Sequence, residues 1–124
     1  MWVRANLNPR KKNVGDCVIR AIAAATGKSW FEVYDDLCHV GRQELDMPSA
    51  DHVWGLYLYR LGFEPFLVSD QCPACMTIRE FCRRYPRGTY IIGTGKHAVA
   101  VIDGDFWDSY DSGDMLVSFF WKVK

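Results

Sequence analysis

The sequence predicts an α+β domain, and three observations carry that expectation. Helical signals crowd the chain from Asp16 to Tyr85, and strand signals follow from Gly88 onward between turns bearing glycine and aspartate. No repeat or low-complexity stretch interrupts either texture. With 124 residues, 49% of them apolar, the chain suits a single domain, residues 1–124, with a true core.

Residues 2–6 suit a short first strand. The stretch from Asn8-Pro9 to Gly15 is a polar loop with breaker residues, and it leads to Asp16, a good N-cap for a helix that holds Cys17 in its first turn. That helix is rich in small residues and is expected to stop at Gly27. Ser29-Trp30-Phe31-Glu32 has capping-box spacing and opens a second helix. In it Trp30, Val33, Tyr34 and Leu37 recur every three to four residues as one buried stripe. A third helix is predicted from about Ala50 to Leu61, with Val53, Trp54, Leu56, Tyr57 and Leu61 on its apolar side and Gly62 as its stop. Phe63 to Val68 is extended and interrupted by Pro65; Thr77-Ile78-Arg79-Glu80 is a second capping box, starting a short helix that ends before Pro86. Strands follow at 89–94, 97–102, 106–109 and 116–123, an antiparallel sheet on which the cysteine-bearing helix is expected to pack.

Charge narrows the partners. Fifteen basic and fifteen acidic residues cancel, so no overall field recruits nucleic acid or an anionic membrane, and Arg10-Lys11-Lys12 reads as a solvated loop. No apolar run approaches the roughly 18 residues that span a bilayer. The stretch Met1–Asn6 lacks the charged-then-apolar pattern of a signal peptide. Five cysteines, with Cys17, Cys38 and Cys82 in helical patterns, are unlike a secreted disulfide framework. A cytoplasmic protein is expected.

The chemistry centres on Cys17. A thiol at a helix N-terminus meets backbone amides and the positive end of the macrodipole, which favour thiolate, the nucleophilic form. Far downstream, Lys96-His97-Ala98-Val99-Ala100-Val101-Ile102-Asp103-Gly104-Asp105-Phe106-Trp107-Asp108 reads as a β-hairpin. Asp103-Gly104 is a strong two-residue turn signal. With that turn Ile102 faces Asp105, His97 faces Tyr110, and Val99 faces Asp108, so His97 and Asp108 share a face one diagonal step apart. A three-residue turn would bring Asp111 there instead; Asp108 is the preferred orienting residue. Cys17 as nucleophile, His97 as general base and a carboxylate to hold the imidazole make a hydrolytic apparatus that needs no metal or cofactor. The Cys17 N–H supplies one oxyanion donor, and a side-chain amide from the preceding loop the other.

Other motifs have plainer readings. Cys72-Pro73-Ala74-Cys75 is half of a usual zinc site, with Cys82 and Cys38-His39 as the only further ligands, and reads foremost as loop thiols. His52 reads as a surface residue. Trp30, Trp54, Tyr57, Phe119, Phe120 and Trp121 read as core. Gly93-Thr94-Gly95-Lys96 lacks the first glycine and the following helix of a phosphate loop. Arg20, one turn beyond Cys17, is expected to pack under the site or pair with Asp16, without a catalytic role.

These residues resemble the papain-like cysteine peptidase superfamily: a Cys opening the first main helix, a His beginning a later strand and an Asp on the next. The pattern is similar to small bacterial and phage-type proteins with Gly-Asp-Cys-x-x-Arg-Ala at the nucleophile and His-x-x-Ala-Val-x-Asp-Gly at the base, matched by Cys17–Arg20–Ala21 and His97–Asp103–Gly104, and to bacteriocin-leader peptidases. The resemblance implies a peptidase or isopeptidase acting on a peptide or protein, with Cys17 as nucleophile, His97 as base and Asp108 as orienter. One position departs: where the superfamily carries an oxyanion-hole Gln, about six residues before the nucleophile, this chain has Lys11. Asn13, or Asn8, has the amide donors to substitute. Rival readings are an acyltransferase or amidase using the same triad, a non-catalytic interaction protein of phage or toxin-system type, and a zinc-stapled adaptor built on Cys38, Cys72, Cys75 and Cys82.

Overall fold

The computed structural model describes residues 1–124. In chain order the elements are β1 (Trp2–Arg4), α1 (Cys17–Thr26), α2 (Trp30–Glu44), α3 (Asp51–Arg60), β2 (Glu64–Leu67), α4 (Ile78–Arg84), β3 (Thr89–Gly93), β4 (Ala98–Ile102), β5 (Asp105–Asp108) and β6 (Phe119–Lys122). The class is α+β, and one six-stranded sheet runs in the order β1-β5-β4-β3-β6-β2.

The expected C-terminal antiparallel sheet is the centre of a larger, mixed one. β3 to β6 pair antiparallel, β2 adds an antiparallel edge on β6, and β1 pairs parallel with β5. A parallel neighbour requires a long crossover, and here the helices between β1 and β5 supply it. Pro65 is tolerated in β2 because that strand is an edge, where its missing N–H breaks no central ladder.

Helix boundaries follow local chemistry. Ser29 Oγ accepts from the Glu32 N–H at 3.0 Å, but the Glu32 carboxylate turns to Lys28 Nζ at 3.0 Å, so only half of that capping box forms. The Thr77–Glu80 box closes in both directions. α2 runs on to Glu44, and Val40 and Gly41 extend its buried face. Tyr34 falls outside that stripe, 45% exposed and stacked on the half-buried Trp30. Asp16 stands at the N-cap position of α1, yet its side chain makes no capping bond.

Two cores cover the two faces of the sheet. Strand alternation sends Ile91, Ala98, Ala100 and Trp121 toward α1, α2 and α3, and Ile92, Val99, Val101, Phe106 and Phe120 toward α4. Ala21 and Ala25 of α1 share the first core with Ala98 and Ala100 of β4, and such small side chains allow helix and strand to approach closely. The hairpin forms as its turn residues demand. Asp103 and Gly104 hold φ of 49° and 80°, the positive values a type I′ turn requires. The observed pairs Ile102↔Asp105, Val101↔Phe106 and Ala100↔Trp107 are the predicted register. No helix is long and apolar enough to cross a membrane.

Candidate active site

Close packing of α1 on β4 brings the start of one near the start of the other. Cys17 occupies the first turn of α1 and is partly exposed. β3 ends in a tight turn, closed by the Thr94 N–H donating to the His97 carbonyl at 2.9 Å, and His97 emerges from it immediately before β4. Asp108 is the last residue of β5. The structure brings the three predicted residues together. His97 Nε2 lies 2.5 Å from Asp108 Oδ2, with the side chains 7% and 2% exposed. That contact occupies Nε2 and leaves Nδ1 to serve the thiol. Tyr110, the cross-strand partner expected for His97, packs on its ring at 5.2 Å between centroids. Asp111, the alternative orienter, is exposed and bonds Arg79 at 3.0 Å.

The surroundings set the protonation states. Burial pushes the Cys17 thiol up, but hydrogen bonding from His97 and the Ala98 backbone, with the charges of His97 and Arg20, outweighs it and leaves the thiol below its ordinary range. Burial pulls the His97 imidazolium down, yet Asp108 first and Cys17 second raise it to about 9. Burial pushes Asp108 up, whereas its bonds from His97 and Ser112 hold it below the usual carboxylate range. Together these shifts favour thiolate, imidazolium and carboxylate in a row. Cys82 is the contrast: burial pushes its thiol up, as expected of an inert core cysteine.

Asp108 is anchored by residues that sequence reasoning missed. Ser112 Oγ donates to Oδ2 at 2.6 Å, and the Ser109 N–H donates to Oδ1 at 2.8 Å. The Trp2 Nε1–H donates to the Asp108 carbonyl at 3.1 Å. A signal existed: a buried carboxylate has lone pairs beyond the one its histidine uses, and two serines follow within four residues. Asp16 is the other surprise. Instead of capping α1 it is 5% exposed and accepts from Asn8 Nδ2 at 3.0 Å and Trp30 Nε1 at 2.9 Å, besides pairing with Arg20 as expected. Burial pushes Asp16 up, but these bonds hold it below its ordinary range. Because that carboxylate is turned aside, no side chain caps the first amides of α1.

The oxyanion candidates separate. Asn8 is fully committed: its amide bonds Asp16, and its Oδ1 accepts from the Arg10 and Lys12 N–H groups at 3.0 and 3.2 Å. Asn13 is exposed and lines an open cleft of about 370 Å³ with Arg4, Asn6, Ser109 and Tyr110, beside the residue that packs on His97.

Cys72 and Cys75, expected as loop thiols, form a disulfide. With Cys82 buried in α4 and Cys38 on α2, the four cysteines do not converge, which removes the zinc-stapled adaptor. No cluster of His, Cys, Asp or Glu is gathered to hold a metal. His52 lies at the surface and faces Asp46 at 3.2 Å. Of the aromatic residues expected in the core, Trp54, Tyr57, Phe120 and Trp121 are buried, while Trp30 and Phe119 are half-buried. Comparison with protein-family models, curated proteins and solved structures finds no match to this chain.

Proposed function

We propose that the chain is a papain-like cysteine hydrolase that opens an amide bond of a peptide or protein through a thioester on Cys17. The convergence of Cys17, His97 and Asp108 from separate elements carries this reading. The Cys17 thiolate attacks the substrate carbonyl carbon, forming the C–S bond. The oxygen that gains charge is stabilised by the Cys17 N–H and by the Asn13 amide brought to it. Collapse breaks the C–N bond as His97 gives its proton to the departing amine. His97 then takes a proton from water, the hydroxide attacks the thioester, and the acid product leaves with Cys17 restored.

Asp108 stays ionised throughout and holds the ring through Nε2. We place the reaction in the cytoplasm, where reducing conditions keep Cys17 free and are expected to return Cys72 and Cys75 to thiols. The Cys72–Cys75 bridge links residues three apart and so constrains little of the chain.

The test is the pH dependence of Cys17 alkylation by iodoacetamide, in the wild type and in His97→Ala. An activated pair predicts reactivity persisting well below pH 8, where an ordinary thiol near 8.5 is mostly protonated, and its loss in the variant. A Cys17 that is inert, or indifferent to His97, overturns the enzyme reading in favour of an interaction protein.

A further inference from the structure

We propose that Arg20 is the positioning residue of this site, the fork that fixes Asp108 against the helix carrying Cys17. The inference rests on the hydrolase reading above. Its basis is geometric. The Arg20 side chain is only 11% exposed, and its Nε donates to Asp16 Oδ1 at 2.8 Å. From the same guanidinium, Nη1 donates to Ser109 Oγ at 3.2 Å and reaches Asp108 Oδ1 at 3.5 Å, across 88 residues of sequence. Both carboxylates are buried, 5% and 2% exposed.

A planar guanidinium has donors in fixed directions, so one side chain can span two acceptors and set their separation. One of those acceptors immediately precedes the nucleophile, and the other holds the imidazole. Arg20 therefore joins the start of α1 to the end of β5, the two parts whose spacing decides whether His97 reaches the thiol. The charges also alternate along the line: Asp16 negative, Arg20 positive, Asp108 negative, His97 positive, Cys17 negative. Removing the guanidinium leaves two buried carboxylates without their shared cation. Asp108 then gains proton affinity, and once protonated it no longer supports an imidazolium. The larger effect reaches Cys17 through Asp108 and His97, beside the direct charge of Arg20 on the thiol, and Arg20 need not touch the substrate.

The experiment measures Cys17 alkylation by iodoacetamide from pH 5 to 9 in Arg20→Met, Arg20→Lys, Asp108→Asn and the Arg20→Met/Asp108→Asn double variant, with thermal melting of each. Arg20→Met is expected to move the acid limb to higher pH, with about tenfold slower alkylation at pH 6, which corresponds to one pH unit along the limb. Arg20→Lys, which keeps the charge but not the fork, is expected to recover part of that rate. In the Asp108→Asn background the arginine substitution is expected to change the rate less than threefold, because the route through Asp108 is already cut and only the direct charge of Arg20 on the thiol remains. An unchanged acid limb in folded Arg20→Met, or a full tenfold loss on top of Asp108→Asn, overturns the inference. A role confined to holding the fold would lower the melting temperature and leave the pH profile in place. If Arg20→Met does not fold, Arg20→Lys decides alone: a rate at pH 6 equal to wild type overturns the proposal. A wild-type Cys17 that is itself inert is a different result, and it rejects the hydrolase reading.

Discussion

Replacing Asp108 with asparagine removes one charge and keeps the shape, and the structure gives the size of the consequence. Asp108 is the largest influence raising His97, which stands at about 9 in the folded protein. Without that carboxylate, burial acts on the imidazolium with only Cys17 to oppose it, and His97 is expected to fall to its ordinary 6.5 or lower. A fall from about 9 to 6.5 is 2.5 pH units, a loss in proton affinity of roughly three-hundredfold, or about 3 kcal/mol. The sign follows from the pair. Thiolate and imidazolium stabilise each other, so losing the imidazolium raises the thiol as well, and both move the acid limb of Cys17 reactivity upward in pH. Two measurements check this in one sample: the NMR titration of the His97 ring and the iodoacetamide rate of Cys17. A folded Asp108→Asn protein whose His97 still titrates near 9 would falsify the assignment of Asp108 as the anchor.

Two further outcomes follow from the packing and the buried charges. Asp16 and Asp108 are both held below their ordinary range, so the stability they contribute is present above about pH 4 and is lost as pH falls through their folded values. Asp16→Asn should therefore lower stability at pH 7 and flatten its decline between pH 5 and pH 3; urea unfolding curves parallel to wild type across that range would contradict the buried-carboxylate account. Gly41→Ala should reverse the usual gain of about 1 kcal/mol for a helical glycine. Its new Cβ would lie 2.7 Å from the backbone oxygen of Asp46 and 3.3 Å from the nitrogen of Pro48, and overpacking of this kind costs about 1–3 kcal/mol. A melting temperature above wild type would refute that.

Much of the site was legible because it depends on local rules that happen to converge. Two positive-φ positions at Asp103 and Gly104 fix the hairpin register, and the register alone pairs the strand of His97 with that of Asp108. The helix around Cys17 was equally plain, since its alanines and Gly27 are unambiguous. What escaped was everything decided by closure in three dimensions. No periodicity announces that β1 lies parallel to β5, because its pairing depends on where four intervening helices deliver the chain. Asp16 looked like a cap because caps are satisfied locally, yet Asn8, Trp30 and Arg20 offer three donors together where the helix offers an amide. Ser112 carries no motif; its role exists only once Asp108 is buried with a lone pair to fill. Tyr34 obeyed helical spacing but lies at the margin of the stripe, where its neighbour Trp30 is its main cover.

The separation of Asp16, Cys17 and Arg20 from His97, Asp108 and Ser112 along the chain has a consequence for when reactivity begins. Nothing near Cys17 in sequence supplies the imidazole, so a nascent or unfolded chain carries an ordinary, mostly protonated thiol at neutral pH. In the proposed hydrolase the nucleophile switches on only when the last strands dock against the first helix. Labelling of Cys17 at pH 6 would then report complete folding, and a molecule that loses its tertiary structure would disarm itself in the same step.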